Sequence, residues 1–377
     1  MTVFSSKALN RVYLHGAIQT FAETGGGVFL FVFLLVAGVS VPLILCTIAT
    51  INILRFVLRR GVLPMTRRWG LRNTLIVGTL LESSSYWLVP WVEGPGTMLV
   101  LLVIMSSVGS VIYWTCYHAF VAAIGDDDSR GKQVGVIEAL AALVGVIAPA
   151  VMSLLLIYSG PKFAFAFVAL IQMAAAIPLI STPNLAVEME DNSDRKIRRF
   201  GGWLFFAEGW EVAFTYFLWQ IALFVTLSEN IAEYGGTMVL AGLFGALMSL
   251  AIGRAIDLGH GRKSALIAYG AASGVALLKA AAMDQPWLAV AATAIAAVVA
   301  AIQAPVIMAR LYSLAQESGC PLRFNMATEG GWDLGSAAGC LIAAGMIWWG
   351  VSLSLILPLA LLGLGAVAWM LAVSYER

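Results

Sequence analysis

Charged residues are scarce in this sequence of 377 residues. Lysine, arginine, aspartate and glutamate together make up 11% of it, against roughly a quarter of an ordinary soluble domain. Hydrophobic residues make up 60%. Because so few charges cannot cover the surface of a water-soluble fold of this size, lipid must be the solvent for most of the chain. A soluble enzyme or a soluble binding module is therefore excluded.

Cysteine and histidine are also rare, and their positions exclude several kinds of site. The four cysteines are scattered, with no CxxC pair and no metal-ligand spacing. The three histidines, His15, His118 and His260, form no HExxH motif, and no GxSxG motif is present. We predict no disulfide framework, no metal site, no cofactor and no enzymatic activity.

Long apolar stretches dominate what is present. A helix needs about 20 apolar residues to cross the hydrocarbon core of a membrane. Twelve stretches reach that length, approximately 12–38, 40–60, 71–92, 97–122, 133–158, 161–182, 201–227, 234–256, 263–283, 286–315, 324–348 and 351–373. One long polar connection interrupts them. We predict an all-α polytopic membrane protein with a six-helix bundle over residues 1–183, a linker over 184–200 and a second six-helix bundle over 201–377.

The basic residues predict the orientation of these spans. All 22 lysines and arginines except Lys162, Lys279 and Arg310 fall at the termini or in loops on one side of the membrane. Loops rich in lysine and arginine remain cytoplasmic. We therefore predict a multi-pass protein of the inner or plasma membrane, with both termini in the cytoplasm.

The two halves of the sequence resemble each other. An offset of 185 residues superposes Glu23 in Phe-Ala-Glu of span one on Glu208 in Phe-Ala-Glu of span seven. An offset of 195 superposes Tyr117 on Tyr312 and Glu138 on Asp333. Matches in the same order that align buried acids with buried acids indicate an internal duplication.

The loop between spans eight and nine, Gly253 to Lys263, resembles the signature of the major facilitator superfamily, a Gly, then Asp, then Gly-Arg-Lys. A degraded copy lies between spans two and three. The resemblance implies two pseudosymmetric six-helix bundles, a central cavity lined mainly by spans one, four, seven and ten, and alternating access. It also implies a gating role for Asp257, Arg262 and Lys263.

Acidic residues inside the spans are the candidates for function. A charge in the middle of a membrane costs about 2.5–3.5 kcal/mol on insertion scales. Only Lys279 and Arg310 are expected as cationic partners within the spans, so the acids must face a wet cavity, pair with something or be protonated. They are Glu23, Glu82, Glu138, Glu208, Glu211, Glu329 and Asp333.

We predict that Glu23 and Glu208 face the cavity and serve proton coupling or cation binding. Glu211, three residues after Glu208 on the same helix face, would extend that site. Glu138 and Asp333 are further candidates. The alternative is that these acids form hydrogen bonds between helices or lie near the aqueous ends. Glu82 has no evident role, since the resemblance places its span at the periphery.

Other polar residues of the spans complete the predicted site. Arg310 would bind an anionic substrate group or neutralise a cavity acid, or else extend to the interface. Tyr117 and His118 lie on span four, and Trp210 lies between the acids of span seven, where its ring could bind an organic cation or pack against other helices. Lys279 is expected to extend towards the outer membrane surface near Asp284.

These features predict a proton-coupled secondary transporter. The excess of acids favours a cationic, zwitterionic, metal-containing or amphipathic solute. The expected partners are this small-molecule substrate, protons and membrane lipid, without nucleic acid, and the protein is expected to be a monomer. A transporter-derived receptor or scaffold, or a membrane-embedded enzyme, is the alternative. The glycines Gly25 to Gly27 in span one would permit either bending or close helix packing.

Overall fold

The computed structural model describes residues 6–124, 130–186, 194–252 and 261–375. These residues form helical rods and contain no β-strand. Twelve such rods occur in the described ranges, in the order of the twelve predicted spans, and we number them α1 to α12. The prediction of an all-α polytopic membrane protein is confirmed.

Six of the rods are uninterrupted α-helices. They are α4 (Thr97–Ile124), α5 (Arg130–Tyr158), α8 (Ile231–Ile252), α9 (Gly261–Ala281), α10 (Pro286–Glu317) and α11 (Pro321–Trp348).

The other six rods each contain a change of helix type or a short break. They are α1 (Ser6–Ala22, Glu23–Gly27, Val28–Val36), α2 (Val41–Leu58, Arg59–Gly61, Val62–Trp69), α3 (Leu71–Leu88, Val89–Trp91), α6 (Gly160–Ala174, Ala176–Ile180), α7 (Arg195–Val212, Ala213–Leu218, Trp219–Thr226) and α12 (Leu353–Ile356, Leu357–Leu359, Ala360–Ser374).

Hydropathy separates the rods into two groups. Eight described helical stretches are long and apolar enough to cross a membrane, and one of them, Leu140–Ile180, contains parts of both α5 and α6. The rods outside these stretches are α3, α7 and α11, which carry Glu82, the pair Glu208 and Glu211, and the pair Glu329 and Asp333. These three helices thus carry five of the seven acids predicted within the spans, and those side chains need protein rather than lipid around them.

Close helix approaches hold the bundle together. Helix α2 packs against α11, and α5 packs against α8, so both contacts join the first six rods to the last six. Within the last six rods, α7 packs along α11 at a row of glycines. A Cβ on Gly331 would collide with the backbone of Gly202, and a Cβ on Gly335 would collide with that of Phe206. Small residues at such positions allow helix backbones to approach closely.

Helices α1 and α7 share an unusual local structure near their middles. Each contains a π-helical turn, Glu23–Gly27 in α1 and Ala213–Leu218 in α7. Such turns are rare and are frequently found at functional sites. The offset of 185 maps the α1 turn onto residues 208–212, directly before the α7 turn, so the two turns are not at equivalent positions of the repeat. The duplication and the domain boundaries at 184–200 stay predictions.

The glycines of the α1 π turn serve packing. A Cβ on Gly26 would lie 2.6 Å from Val168 Cγ1 of α6 and 2.7 Å from Tyr86 Cε1 of α3. Only glycine therefore allows α1 to lie this close to both neighbours. Of the two alternatives for this triplet, close approach is the one with direct structural support.

The first six and last six rods touch at both ends of the bundle. We call the end that carries Arg11, Arg72 and Lys196 the basic end. At the opposite end, Phe31 of α1 packs edge-on against Phe217 of α7, with ring centres 5.4 Å apart. The hydroxyl of Tyr234 on α8 donates to the Val28 carbonyl oxygen of α1 at 3.2 Å.

Candidate substrate and ion sites

A cavity of about 500 Å³ lies among α5, α7, α8, α9 and α10, and Thr24 of α1 also reaches it. Half of its 26 lining residues are alanine or glycine, which leave open space because their side chains are small. Aromatic and amide groups, among them Tyr216, Trp219 and Gln303, occur at intervals. Among the described lining residues, Glu211 and Lys279 are the two that can carry a charge.

Thr215 joins these two charged groups. Its hydroxyl donates to the carboxylate of Glu211, with Oγ1 and Oε2 2.7 Å apart. The Lys279 ammonium donates to the Thr215 carbonyl oxygen at 2.7 Å and lies 5.1 Å from the ring centre of Trp219. Glu211 and Lys279 are only 6% and 5% exposed. The expectation that Lys279 extends to the outer surface is therefore wrong: its side chain turns inward, where a carbonyl oxygen and an aromatic face replace water.

Glu208 lies beside this site without lining the cavity. Its carboxylate accepts a hydrogen bond of 3.0 Å from the hydroxyl of Tyr269, a buried residue of α9. Glu208 and Glu211 thus share the helix face that meets α9, as their spacing predicts. The expectation that Glu208 faces the cavity is wrong, since Glu211, one turn further along α7, takes that position.

Glu23 belongs to a second acidic group, between α1, α3 and α6. Gln19 Nε2 donates to Glu23 at 3.0 Å and to Glu82 at 2.8 Å. Gln172 Nε2 donates to the same oxygen of Glu82 at 3.0 Å. Glu23 does not line the cavity either, because its side chain turns towards α3. Glu82, for which the sequence offered no role, is its partner.

Ion pairs join α2 to α11 near the basic end. The side chains of Glu329 and Asp333 on α11 are buried, and two arginines of α2 contact them. We call this group the ion-pair latch, defined by Arg55, Arg59, Glu329, Asp333 and His118.

Each acid of the ion-pair latch has a cationic partner. Arg55 lies 3.3 Å from Glu329 and 3.1 Å from Asp333. Arg59 also pairs with Asp333 and donates to the hydroxyl of Thr115 on α4 at 2.6 Å. A charged pair removed from water is stable only when its geometry and hydrogen bonds are good. This latch therefore suits a contact that holds the two halves together in one state.

The arginines of the ion-pair latch were missed by sequence reasoning. The hydropathy pattern predicts that Arg55 and Arg59 belong to the basic loop after span two. It predicts Lys279 and Arg310 as the cations within the spans. Instead, α2 continues to residue 69, and both arginines point inward with 7% and 3% exposure. Their spacing of four residues, which places them on one helix face opposite the i, i+4 acids of α11, was the available signal.

His118 and Tyr117 lie on α4 at the edge of the latch. His118 Nε2 is 3.6 Å from Glu329, and its other ring nitrogen is 3.5 Å from the hydroxyl of Tyr312 on α10. Tyr117 stacks on Tyr113, with ring centres 5.5 Å apart, and it also packs near His15. Neither residue lines the cavity, so the structure places both with the contacts between helices.

Trp210 and Arg310 point away from the cavity, in agreement with the second alternative given for each: helix packing for Trp210 and extension to the interface for Arg310. Trp210 Nε1 donates to the Leu359 carbonyl oxygen of α12 at 2.9 Å, because it lies on the face of α7 opposite Tyr269. Arg310 pairs with Glu317 at 2.7 Å and donates to the Ser374 carbonyl oxygen at 3.1 Å. Arg310 thus fastens α10 to the end of α12 near the basic end. Asp333, also predicted at the substrate site, belongs to the ion-pair latch instead.

The described structure does not test the predicted roles of four residues. The side chain of Glu138 and the whole of Asp257 lie outside the described residues. Arg262 and Lys263 lie at the exposed start of α9. Their gating role stays a prediction.

Comparisons with known proteins agree with this architecture. A sequence model described as Major Facilitator Superfamily matches residues 62–231, and solved transporters of that superfamily superpose on the whole chain. The chain is therefore similar to this superfamily in sequence over residues 62–231 and in fold over nearly its full length. No curated protein sequence matches this chain.

Solved structures extend the similarity over nearly the full length. The E. coli fucose:proton symporter superposes with a TM-score of 0.70 at 12% identity, covering 98% of this chain and 99% of the symporter. The human organic anion transporter TETRAN gives 0.67 at 17% identity, with 97% and 99% covered. A bacterial homologue of the iron transporter ferroportin gives 0.67 at 11% identity, with 98% and 100% covered. At these identities the similarity shows the fold.

Proposed function

We propose that this protein is a proton-coupled secondary transporter that moves a small solute by alternating access. The observation that carries the proposal is the cavity of about 500 Å³ with Glu211 and Lys279 on its wall, joined through Thr215. A buried acid and a buried amine that face open space can each bind a proton or a charged group of a solute. Two side chains that only held helices together would not have to face an open cavity.

Contacts at the two ends support alternating access. The ion-pair latch joins α2 and α11 near the basic end, and aromatic contacts join α1, α7 and α8 at the other. Opening towards either side requires only one of these two layers to separate. In this scheme the charged layer is the gate on the cytoplasmic side, since loops rich in lysine and arginine predict that this end faces the cytoplasm.

The chemistry of the cavity favours a cationic, zwitterionic or amphipathic solute. Its alanine-rich wall would contact an apolar body, Glu211 would bind a positive group, and Trp219 would stack against either. The similar proteins are an organic anion transporter, a fucose:proton symporter and a homologue of an iron transporter, so the shared fold does not select among substrates.

Proteoliposomes test the proposal directly. Purified protein would be screened by ligand-induced thermal stabilisation against organic cations, amphipathic zwitterions, organic anions and hexoses, and each positive compound would then be tested for uptake. We expect at least one compound to accumulate when a pH gradient is imposed, and a protonophore to abolish that accumulation. If the compounds that bind equilibrate at the same rate and to the same level with and without the gradient, proton coupling is wrong.

A second measurement tests the orientation. Single cysteines would be placed at Arg67 and at Glu229, both exposed and at opposite ends of the bundle, in a cysteine-free background. In intact cells a membrane-impermeant thiol reagent should label position 229 and leave position 67 unlabelled. The reverse pattern would contradict cytoplasmic termini.

A further inference from the structure

Four side chains in the first half of the molecule form a compact group, which we call the acid–amide cluster. It consists of Gln19 and Glu23 on α1, Glu82 on α3 and Gln172 on α6. The nitrogen of Gln19 donates to both carboxylates, at 3.0 and 2.8 Å, so the two accepting oxygens are at most 5.8 Å apart, the sum of those lengths. The three helices thus bring two carboxylates to one amide.

The positive charge of Arg55 reaches the two carboxylates of this cluster only through space, without an ion pair. Within the described part of the chain, no lysine, arginine or histidine forms an ion pair with Glu23 or Glu82, whereas every acid of the ion-pair latch has one. The amides supply hydrogen bonds without a positive charge. Both carboxylates are half-buried, and two of them this close together need a proton or a metal ion to be stable together.

The amide oxygens are also without partners. Gln19 is 2% exposed and Gln172 is fully buried. The Oε1 atom of each has no hydrogen-bond partner in the described structure. A buried polar atom left unsatisfied costs about 1–3 kcal/mol, and two in one cluster indicate that a ligand for oxygen atoms is missing from the network.

The backbone around the cluster is held in place by close packing. A Cβ on Gly109 of α4 would collide with the backbone of Glu82, and Gly26 allows α1 to pack against Tyr86 and Val168. These contacts fix the three helices near the cluster, so its donor atoms are positioned by the fold. A site built on tightly packed helices holds its geometry better than one built on loops.

We propose that the acid–amide cluster binds a hard divalent metal cation such as Ca²⁺ or Mg²⁺. Two carboxylates match its charge, and the two amide oxygens complete an all-oxygen set of donors. Opposite oxygens around a Ca²⁺ ion are about 4.6–5.2 Å apart, twice the usual Ca–O distance of about 2.3–2.6 Å. The limit of 5.8 Å between the carboxylate oxygens agrees with that span.

In this proposal the NH₂ group of Gln19 occupies the bridging place when no metal is bound. Rotation of the terminal amides of Gln19 and Gln172, each about its last side-chain bond, turns the amide nitrogens away from the carboxylates and the amide oxygens to the metal. The described residues contain no group of three or more His, Cys, Asp and Glu side chains that could hold a metal, and in the proposed site amides supply half of the donors. The donor set differs from the proton site of the proposed function, which lies in the other half at Glu211.

Thermal unfolding of the purified full-length protein in detergent tests the proposal. The protein would be stripped with a chelator and titrated with CaCl₂ and MgCl₂, with NaCl and choline chloride as controls for ionic strength. A ligand that binds only the folded state raises the unfolding temperature. We expect one of the divalent ions to raise it saturably, and equilibrium dialysis with radioactive calcium or atomic absorption for magnesium to give about one ion per molecule.

Two variants locate the site. Replacement of one ligand or its immediate partner commonly weakens metal affinity about 10–100-fold, so Glu82→Gln and Gln19→Leu should each weaken the divalent response at least tenfold. Glu82→Gln should also unfold at a higher temperature than the metal-free parent, because it removes a half-buried charge that has no ion-pair partner. That gain separates lost binding from misfolding. Glu211→Gln, in the other half, should keep the full divalent response.

Three results would overturn the proposal. One is an unfolding temperature that rises no more with CaCl₂ or MgCl₂ than with choline chloride. Another is a response to Na⁺ alone. The third is a divalent response that survives unchanged in both Glu82→Gln and Gln19→Leu. Proton-driven uptake by the parent protein is measured separately, so either proposal can fail while the other stands.

Discussion

The acids of this protein fall into two kinds of environment. In the ion-pair latch, Glu329 and Asp333 are paired with Arg55 and Arg59. In the middle of the bundle, the carboxylates have hydroxyl or amide partners: Thr215 for Glu211, Tyr269 for Glu208, and Gln19 for both Glu23 and Glu82.

The two environments indicate two roles. Acids paired with arginine hold helices together, whereas acids with neutral partners can bind a proton, a metal ion or a solute. A carboxylate with an arginine partner has its charge balanced by the protein in this conformation, and it loses that balance when the helices separate. A carboxylate with only neutral partners has its charge left for a proton, a metal ion or a solute. Glu211 is intermediate, since Lys279 reaches it through Thr215 rather than by direct contact.

The largest expected effect comes from removing one cation of the ion-pair latch, and it is compared with the removal of one acid from the middle of the bundle. Arg59→Leu leaves the fully buried Asp333 with a single arginine, and breaking a buried ion pair costs about 3–5 kcal/mol. Glu82→Gln removes a carboxylate that has no cationic partner and should not destabilise the protein. The free energies of unfolding of the two variants would be compared by denaturant titration in mixed micelles.

A double variant serves as the control for that loss. In Arg59→Leu combined with Asp333→Leu both partners become apolar, and stability should return towards that of the parent. Equal destabilisation by Arg59→Leu and Glu82→Gln would show that the two environments do not differ.

The indirect contact between Glu211 and Lys279 gives the next largest effect. If Thr215 joins them into one unit, Lys279→Met, Glu211→Gln and the double variant should show a coupling energy of about 0.5–3 kcal/mol, with the double variant more stable than Lys279→Met alone. Thermal or chemical unfolding of the four proteins measures this coupling. Strictly additive effects would mean that the two groups act independently.

A glycine substitution tests how the fold brings Glu23 and Glu82 together. In Gly26→Ala the new Cβ would lie 2.6 Å from Val168 and 2.7 Å from Tyr86, and overpacking of this kind costs about 1–3 kcal/mol. Gly236→Ala is the matched control on α8, where a Cβ would meet nothing within 4 Å. The unfolding temperature should fall for the first variant only, and an equal fall in both would contradict tight packing at the π turn.

The smallest loss of stability is expected at Trp210, on the part of α7 that contacts α12 and not the cavity. Trp210→Phe loses one hydrogen bond to the Leu359 carbonyl oxygen, a loss of about 0.5–1.5 kcal/mol. Transport should continue at the parental rate, because Trp210 lies away from the cavity. A large loss of uptake by correctly folded Trp210→Phe would show that Trp210 contributes to the substrate site.

Much of the fold was accessible from the sequence because lipid imposes simple rules. Hydropathy located the twelve rods of the described ranges in order, and the repeat paired α1 with α7, each of which contains a π-helical turn. The acids themselves were also recognised as the residues that need an explanation, since the cost of a charge in hydrocarbon does not depend on its neighbours.

The partners of the acids were harder to predict because they depend on rotation about the helix axis. Glu208 and Glu211 lie one turn apart, and only the packing of α7 against α9 decides which of them faces the cavity. The sequence predicts Arg55 and Arg59 in a loop because the apolar stretch ends near them, whereas α2 in fact continues to residue 69. Gln19 and Gln172 gave no signal, since an amide inside a helix costs little enough to occur without a function.

Uptake by Glu211→Gln in proteoliposomes tests the central claim most directly. The compound that the parent accumulates would be measured in two modes, accumulation driven by a pH gradient and exchange of internal for external substrate without a gradient. Glu229→Gln, on an exposed loop, is the matched control. We predict that Glu211→Gln loses gradient-driven accumulation while it retains exchange. Full gradient-driven accumulation by Glu211→Gln would contradict the account.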